Sequence, residues 1–264
     1  MIVIKDQLQR ILEISRTPKR IISLVPSQTE LLCDMGLEDA IVGVTKFCVH
    51  PSHLKSAKTI VGGTKQIKIE KIKELRPDIV LCNKEENTKE IVEELEKIVP
   101  VHVSDIYTID DSLELIKSYG EIFDCIDKSS EIINKITVNL ADFKGFIKNQ
   151  PNYRTAYFIW REPWMVTAGT TFINHLLKLN GFENVYSDEK RYPEVNIKKM
   201  KEESDPELVL LSSEPFPFKE KHVSEVEKYL PDSKVILVDG EYFSWYGSRL
   251  INAFQYFKQL RLNL

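Results

Sequence analysis

The residues of this chain that could bind or transform a ligand are aromatic and polar side chains that follow short apolar runs. The runs are typical of β-strands, and the residues after them include all three tryptophans, Trp160, Trp164 and Trp245. Aromatic rings in loops are exposed unless something covers them. Flat rings beside a few polar groups suit a large, partly apolar ligand such as a corrinoid, a heme or an iron chelate. The alternative is that the rings seal a contact between two lobes.

Parallel sheets collect ligands at the carboxyl ends of their strands, so every segment directly after a predicted strand is a candidate for binding. In the first half of the chain these segments are residues 26–28, 45–48, 62–64 and 83–85. In the second half they are residues 160–164, 214–218 and 241–245.

Motifs of the common enzyme classes are absent from the sequence, including GxSxG, the Walker loop, HExxH and GxGxxG after a strand. The pair Gly62 and Gly63 lacks P-loop spacing and predicts a tight turn. His50 and His53 stand three apart with no third ligand near them in sequence, which favours a capped or solvated pair over a metal site. We therefore expect no enzymatic activity, no metal site and no cofactor of the protein's own.

Charge and cysteine content exclude further functions. The net charge is −4, and lysine and glutamate are interspersed, so the sequence has no basic patch for nucleic acid. Four cysteines, Cys33, Cys48, Cys82 and Cys125, are widely spaced without a CxxC pair.

No run approaches the roughly 20 apolar residues that a spanning helix needs. The first 20 residues have no signal-peptide pattern, so a chain that starts at Met1 is expected in the cytoplasm.

One helix-to-strand unit occurs twice. The phrase IEKIKELRPDIVL, residues 69–81, returns as IKKMKEESDPELVLL, residues 197–211. In each copy an amphipathic run ends where a proline stands beside an acidic residue, and an apolar run follows that predicts a strand buried on both faces. The repeat predicts two α/β lobes of one plan with a ligand cleft between them.

The intervening sequence predicts the connection between these lobes. Residues 111–148 have helical spacing, which indicates two helices or one long kinked helix. The predicted domains are an N-terminal lobe, 1–108, a connecting helix, 109–150, and a C-terminal lobe, 151–264. A helical connector is stiff, so we expect only a small change of lobe angle on ligand binding. Before it, residues 20–36 predict a strand and then a helix capped near Ser27.

Four segments, PKRIISLVPSQTELLCDMGLEDAIVGVT, VGGTKQIKIEKIKELRPDIVL, AGTTFINHLLKLNGFENVY and YFSWYGSR, together resemble the substrate-binding proteins of cobalamin and iron-chelate ABC importers. They are most similar to the cobalamin-binding members, and the resemblance runs from about Thr17 through nearly the whole chain. It implies two Rossmann-like lobes with parallel sheets joined by a long backbone helix. It also implies a periplasmic or envelope location and an ABC permease as partner.

The resemblance also implies which residues line the ligand cleft. They are Ser27, Gln28, Phe47, Gly63, Thr64, Trp160, Trp164, Tyr192, Glu241, Tyr242, Trp245 and Arg249. Glu70 matches the first of two surface glutamates that dock on the permease in this family. At the second position this chain has Lys198, with Glu194 nearby, so docking through the second lobe departs from the family pattern.

These observations leave three hypotheses. The first is a monomeric substrate-binding protein that holds a cobalamin-like or other metal-chelate ligand, such as heme or a siderophore, and performs no covalent chemistry. Ser27, Glu241 and Arg249 would orient that ligand. The second is a cytoplasmic enzyme or chaperone that handles a corrinoid or metal cofactor. The third is a structural or regulatory module with a vestigial cleft.

Overall fold

The structure, a computed structural model, describes residues 2–264 and divides into two compact units. Unit 1 contains the residues up to Thr137 together with the segment Trp245–Ile251. Unit 2 contains Val138–Ser244 and Asn252–Leu264. The chain therefore returns to unit 1 for one short segment near its end.

Helices and strands alternate in both units. In unit 1 the elements are β1 (Ile2–Lys5), β2 (Ile11–Ile14), β3 (Ile21–Ser23), α1 (Pro26–Asp34), a 3₁₀ helix (Glu38–Ala40), β4 (Ile41–Val44), α2 (Leu54–Ala57), β5 (Thr59–Ile60), α3 (Ile69–Glu74), β6 (Ile79–Asn83), α4 (Lys89–Leu95), β7 (Val101–Ser104), α5 (Ile109–Ile122) and the first part of α6 (Ile126–Ile147). After α6, the elements are β8 (Tyr153–Trp160), β9 (Met165–Val166), α7 (Phe172–Leu179), β10 (Phe182–Asn184), α8 (Met200–Glu203), β11 (Leu208–Ser212), α9 (Glu220–Glu227), β12 (Lys234–Val238), α10 (Gly240–Ser244) and α11 (Leu250–Leu262).

Each unit is built around a parallel sheet. The strand order is β5-β4-β3-β6-β7 in unit 1 and β10-β8-β11-β12 in unit 2, where the short β9 pairs antiparallel with β8. Every residue of β6 and of β11 is buried, because helices cover both faces of these central strands. Each unit has its own apolar core, which includes Val80 in unit 1 and Val209 in unit 2. The predicted fold class, two α/β lobes with parallel sheets and a long backbone helix, is confirmed.

The connection between the units is helical. Residues 111–148 form α5 and α6, separated by a turn in which Asp124 has a φ of 55°. The division between the units falls inside α6, after Thr137. The domain boundaries given above, after residues 108 and 150, stay a prediction. In the part of the chain that the structure describes, no helix is long and apolar enough to cross a membrane.

The repeated sequence unit forms the same hydrogen-bonded clamp in both units. In unit 1 the N–H of Asp78 donates to the carbonyl of Arg20 at 2.8 Å, and the Asp78 carboxylate accepts the N–H of Arg20 at 3.0 Å. In unit 2 Glu207 and Arg154 make the corresponding two bonds, each 2.8 Å long. The clamp lies directly before the first paired residues of β3 with β6 and of β8 with β11.

The turn from helix to strand also repeats. Arg76, with a φ of 44°, and Asp205, with a φ of 41°, each directly precede a proline. A residue before proline is kept out of the right-handed helical region, so the chain leaves each helix through a left-handed turn. The guanidinium of Arg20 closes the turn in unit 1 by donating to the carbonyl of Leu75 at 2.7 Å. The Arg154 guanidinium likewise donates to a carbonyl at the end of the unit 2 helix.

Residues before the region of resemblance form a β-hairpin that the sequence analysis did not predict. Strands β1 and β2 pair antiparallel, and the turn between them lies against the edge strand β7. The buried Asp6 carboxylate accepts the N–H of Val103 at 3.2 Å, and the Arg10 guanidinium donates to the carbonyl of Val101 at 2.8 Å. An open strand edge is a template for pairing with another chain. Here side chains of the turn occupy part of that edge.

Helix α1 begins differently from the prediction. Its N-cap is Val25, which makes no side-chain hydrogen bond, and Pro26 is the first helical residue. Ser27 is buried inside the first turn, so the predicted Ser27 cap is wrong. Proline has a helical φ and no N–H to satisfy, and it can therefore start a helix without a capping side chain.

Helices α5 and α6 touch at a glycine. A Cβ atom at Gly120 would lie 2.1 Å from Oγ and 2.7 Å from Cβ of Ser129. The Ser129 hydroxyl is itself held, because it donates to the carbonyl of Ile126 at 2.9 Å. The close approach of the two helices therefore requires glycine at position 120.

We expect Asp78→Asn to lower the free energy of unfolding by about 1–2 kcal/mol near pH 7, since hydrogen bonds to a charged acceptor contribute about this much. Partial burial opposes ionisation of Asp78, but the N–H of Lys19, the guanidinium of Arg16 and the N–H of Arg20 together lower its pKa. A lowered carboxyl pKa adds stability above about pH 4, and that stability is lost as the pH falls through the lowered value. Urea melts should show the difference from wild type disappearing in acid. Asp188→Asn, at an exposed position, is the control, and a pH-independent difference would contradict the clamp.

A second prediction compares two helical glycines. Gly120→Ala should lower the free energy of unfolding by about 2 kcal/mol, the usual cost of overpacking a tight contact. Gly145→Ala, in α6 with nothing within 4 Å of the new Cβ, should instead raise it by up to about 1 kcal/mol through helix propensity. Thermal melts of both variants measure the contrast. Equal stabilisation of the two variants would show that α5 and α6 do not touch at Gly120.

Candidate functional site

A buried polar network lies where the strand order of unit 1 changes direction, between β3 and β6. Gln28 is fully buried, and its Nε2 donates to Ser104 Oγ at 2.7 Å and to the phenol oxygen of Tyr246 at 3.0 Å. The Tyr119 hydroxyl donates to Gln28 Oε1 at 2.7 Å, and Asn83 Nδ2 donates to Ser104 Oγ at 3.0 Å. Burial raises the pKa of both tyrosines, so their hydroxyls stay protonated. The predicted ligand residue Gln28 thus holds the loops of this strand edge in place.

The loops after β4 and β5 lie together at the same strand edge. The Lys46 N–H donates to the carbonyl of Gly62 at 2.9 Å, and a Cβ atom at Gly63 would lie 3.3 Å from the Phe47 ring. Phe47 is 48% exposed, and Thr64 follows in the same turn. The structure therefore brings Phe47, Gly63 and Thr64 together. Among the predicted residues of unit 1, Phe47 presents the most exposed ring.

The segment Trp245–Ile251 packs into unit 1. Trp245 is only 7% exposed, with the His50 ring edge-on at 5.4 Å and the Arg249 guanidinium 4.7 Å from its centre. Arg249 also forms a two-bond ion pair with Glu30, at 2.7 and 2.9 Å. Burial raises the pKa of Glu30, and the hydrogen bond and charge of Arg249 oppose that shift. These contacts give Trp245 and Arg249 structural roles in unit 1, and ligand contact by either residue stays a prediction.

In unit 2 an aromatic cluster follows β8 and β11. Trp160 ends β8, is 38% exposed and meets Phe216 edge-on at 5.8 Å. Phe216 contacts Phe218 at 4.8 Å, and Trp164 stacks on Phe218 at 6.0 Å. The Arg161 guanidinium lies 5.7 Å from the Trp164 ring. Trp164 is therefore partly buried against the cluster, while Trp160 is more open to solvent.

The other predicted residues of unit 2 lie in separate loops. Tyr242 stacks on Tyr256 with ring centres 4.6 Å apart, and the Glu241 N–H donates to the Asp239 carboxylate at 3.0 Å. Glu241 and Tyr242 both belong to α10, which follows the carboxyl end of β12. Tyr192 is partly exposed in the loop between β10 and α8. Their contact with a ligand stays a prediction.

Local sequence patterns did not identify the polar partners of these residues. Tyr119 gave no signal, because its residue type is ordinary on a helix with an apolar face. Tyr246 stands between two chosen residues, Trp245 and Arg249, and could have been suspected from that position alone. Glu30 lies in α1, close to the chosen residues Ser27 and Gln28, and was not itself predicted. Their roles depend on contacts between segments that lie far apart in the chain, which local patterns do not report.

Across residues 2–264, no three His, Cys, Asp or Glu side chains are grouped as a metal ion requires. The His53 ring contacts the Glu38 carboxylate at 2.7 Å. Burial raises the pKa of the Cys48 and Cys82 thiols, which behave as small core residues.

The predicted docking residue Glu70 lies in the first turn of α3. Its side chain is 74% exposed and pairs with Lys73 at 2.8 Å. Lys198 takes the corresponding place in the second copy of the repeat. Lys198 and Glu194 are both exposed, in the segment before α8. Docking through Glu70 stays a prediction.

The contrast between Trp245 and Phe47 yields a stability prediction. Trp245→Ala should lower the free energy of unfolding by about 3–5 kcal/mol, because it removes a buried ring and opens a cavity. Phe47→Ala removes a half-exposed ring of the same unit and should cost less than about 1 kcal/mol. Denaturant melts of the two variants provide the measurement. If Trp245→Ala were as stable as wild type, its packing into unit 1 would not be structural.

Comparisons with known proteins agree with this fold. The periplasmic binding protein family model matches residues 21–232. A vitamin B12-binding protein of Pectobacterium carotovorum is 24% identical over 245 residues, which cover 90% of this chain and 86% of that protein. An uncharacterized ABC transporter substrate-binding lipoprotein of Bacillus subtilis is 25% identical over 196 residues, 71% of this chain. That match spans 62% of the lipoprotein, less than two thirds of its length.

Solved structures share the architecture. The periplasmic vitamin B12 binding protein of Vibrio cholerae superimposes with a TM-score of 0.79 at 20% identity, over 92% of this chain and 98% of that one. A periplasmic heme binding protein of Pseudomonas aeruginosa gives 0.79 at 20% identity over 92% of both chains. A Fe3+-hydroxamate transport protein of Saccharomonospora viridis gives 0.74 at 20% identity over 98% of both. Because the family model covers most of the sequence and the fold agrees, this chain belongs to the periplasmic binding protein family.

Proposed function

We propose that this protein is the substrate-binding protein of an ABC importer and that its ligand is a metal chelate. The observation that carries the proposal is the family match over residues 21–232. The similar proteins of this type are named for vitamin B12, heme and Fe3+-hydroxamate. A cobalamin-like corrinoid is the first candidate, and heme or a siderophore is the next.

The exposed rings support binding of a large, partly apolar ligand. Two of the predicted ligand residues carry aromatic rings that are well exposed. They are Phe47 in unit 1, which is 48% exposed, and Trp160 in unit 2, which is 38% exposed. Each follows or ends a strand at the carboxyl edge of its sheet, where parallel sheets bind ligands. Apolar contact with such rings supplies affinity without demanding one ligand identity.

The buried polar residues support the site indirectly. Ser27 and Gln28 are buried within unit 1, and Arg249 is committed to Glu30. In this proposal they fix the shape of the loops that carry the exposed rings. Glu241, at the start of α10, is the proposed side chain that orients the ligand in unit 2.

The proposal includes a permease partner and an envelope location, as the relatives' names indicate. The Bacillus relative is a lipoprotein and the Vibrio structure is periplasmic. Glu70 is the proposed contact with the permease on unit 1. The corresponding position on unit 2 carries Lys198, so the partner would meet opposite charges at the two positions. The alternative of an enzyme or chaperone has no support, since the similar proteins are binding proteins.

A ligand titration tests this function. Purified protein is titrated with cyanocobalamin, hemin and ferrioxamine by calorimetry and tryptophan fluorescence, and one of them should bind with a Kd near 1 μM or tighter. Phe47→Ala and Trp160→Ala should each weaken that binding about tenfold or more with little loss of stability. Val138→Ala, an exposed apolar residue on α6, is the control. Failure of all three chelates to bind would contradict the proposed function.

A further inference from the structure

Cations lie over aromatic rings at several places at the carboxyl edges of the sheets. Most of them are neutralised by a carboxylate. These pairs are Lys84 over Tyr107 with Asp105 at 2.6 Å, Arg161 over Trp164 with Glu225 at 2.9 Å, and Arg249 over Trp245 with Glu30 at 2.7 Å. In each case the guanidinium or ammonium has its counter-charge within the protein.

Lys46 departs from this pattern. Its ammonium lies 4.9 Å from the centre of the half-exposed Phe47 ring. No carboxylate within residues 2–264 forms an ion pair with it, and its side chain is exposed. The cation and the open ring thus occur together, and Lys46 forms no ion pair within the described residues.

Lys65 adds a second ammonium group to the same rim. Its ammonium donates to the main-chain carbonyl of Glu85 at 2.6 Å, and it too is without an ion pair in the described chain. The turn that carries Lys65 lies against Lys46, because a Cβ atom at Gly63 would be 3.6 Å from Lys46 Cε. The rim therefore offers two positive charges beside one exposed ring.

We infer that the ligand carries an anionic oxygen group on its periphery, received by Lys46 and Lys65 while the flat body of the ligand lies against Phe47. This inference rests on the proposed function and narrows its ligand class to chelates with a carboxylate or a phosphodiester. An exposed ammonium is well solvated in the free protein and has no internal pair to break on binding. An anion beside it gains attraction that is stronger where the ring and the ligand exclude water.

Two matched pairs of probes differ in this group. Ferric protoporphyrin IX carries two carboxylates, and its dimethyl ester carries none. Cyanocobalamin carries a phosphodiester within its nucleotide, and dicyanocobinamide lacks the whole nucleotide, so the lysine variants decide whether the phosphodiester itself is the group that is bound. Wild-type protein should bind the anionic member of at least one pair about tenfold more tightly than its partner at low salt, and added salt should reduce this ratio. The pair that shows the preference identifies the source of the anion.

Charge-removing variants assign the preference to this rim. Lys46→Gln and Lys65→Gln should each weaken binding of the anionic probe about fivefold, near the upper end for an exposed charge pair. They should change binding of the uncharged partner less than twofold. Lys144→Gln, on the exposed face of α6, should leave both affinities unchanged.

The outcomes separate this inference from the proposed function. If both members of each pair bind equally, or if the lysine variants weaken both members equally, the inference is overturned and the proposed function stands. If no probe of either pair and no ferric hydroxamate binds, both are overturned together. A preference that persists in Lys46→Gln and in Lys65→Gln would place the anion elsewhere on the protein and would also overturn the inference.

Discussion

The rest of the structure depends on a clamp between an acidic residue and the backbone of an arginine. Asp78 with Arg20, and Glu207 with Arg154, join the start of the first strand in each unit to the start of the strand that follows the repeated helix. Each clamp precedes the first rung of pairing, so it fixes the register of the two strands. Those strands flank the point where the strand order changes direction, and the candidate binding loops leave from their other ends.

Unit 1 is completed by residues from the far end of the chain. Tyr246 accepts one hydrogen bond from Gln28, Gly247 donates its N–H to Ser112 at 2.9 Å, and Arg249 pairs with Glu30. The guanidinium and the carboxylate of that pair are largely buried, and removing one of them would leave the other charge without its partner. The geometry of the unit 1 loops therefore depends on the returning segment as much as on the sheet.

The sequence predicted the elements whose determinants are local. Strands β6 and β11 are continuous apolar runs after a proline beside an acid, and both are interior strands with a neighbour on each side. The hairpin of β1 and β2 was not predicted because each strand has only four residues, and Asp6 and Arg10 hold the hairpin to β7 through contacts between segments far apart in the chain. The Ser27 cap was wrong because a proline in the first turn makes the cap unnecessary.

Sequence position identified the loops of the site, but burial decides what their residues do. Phe47 and Gln28 were chosen for the same reason, since both follow a strand of one sheet, yet one is half exposed and the other is fully buried. A half-exposed ring can gain contact with a ligand at little cost to the fold. A buried amide with four hydrogen-bond partners acts on a ligand only through the loops that it holds. Effects on affinity should therefore accompany a loss of stability at buried positions such as Gln28 and occur without it at exposed positions such as Phe47, Trp160 and Lys46.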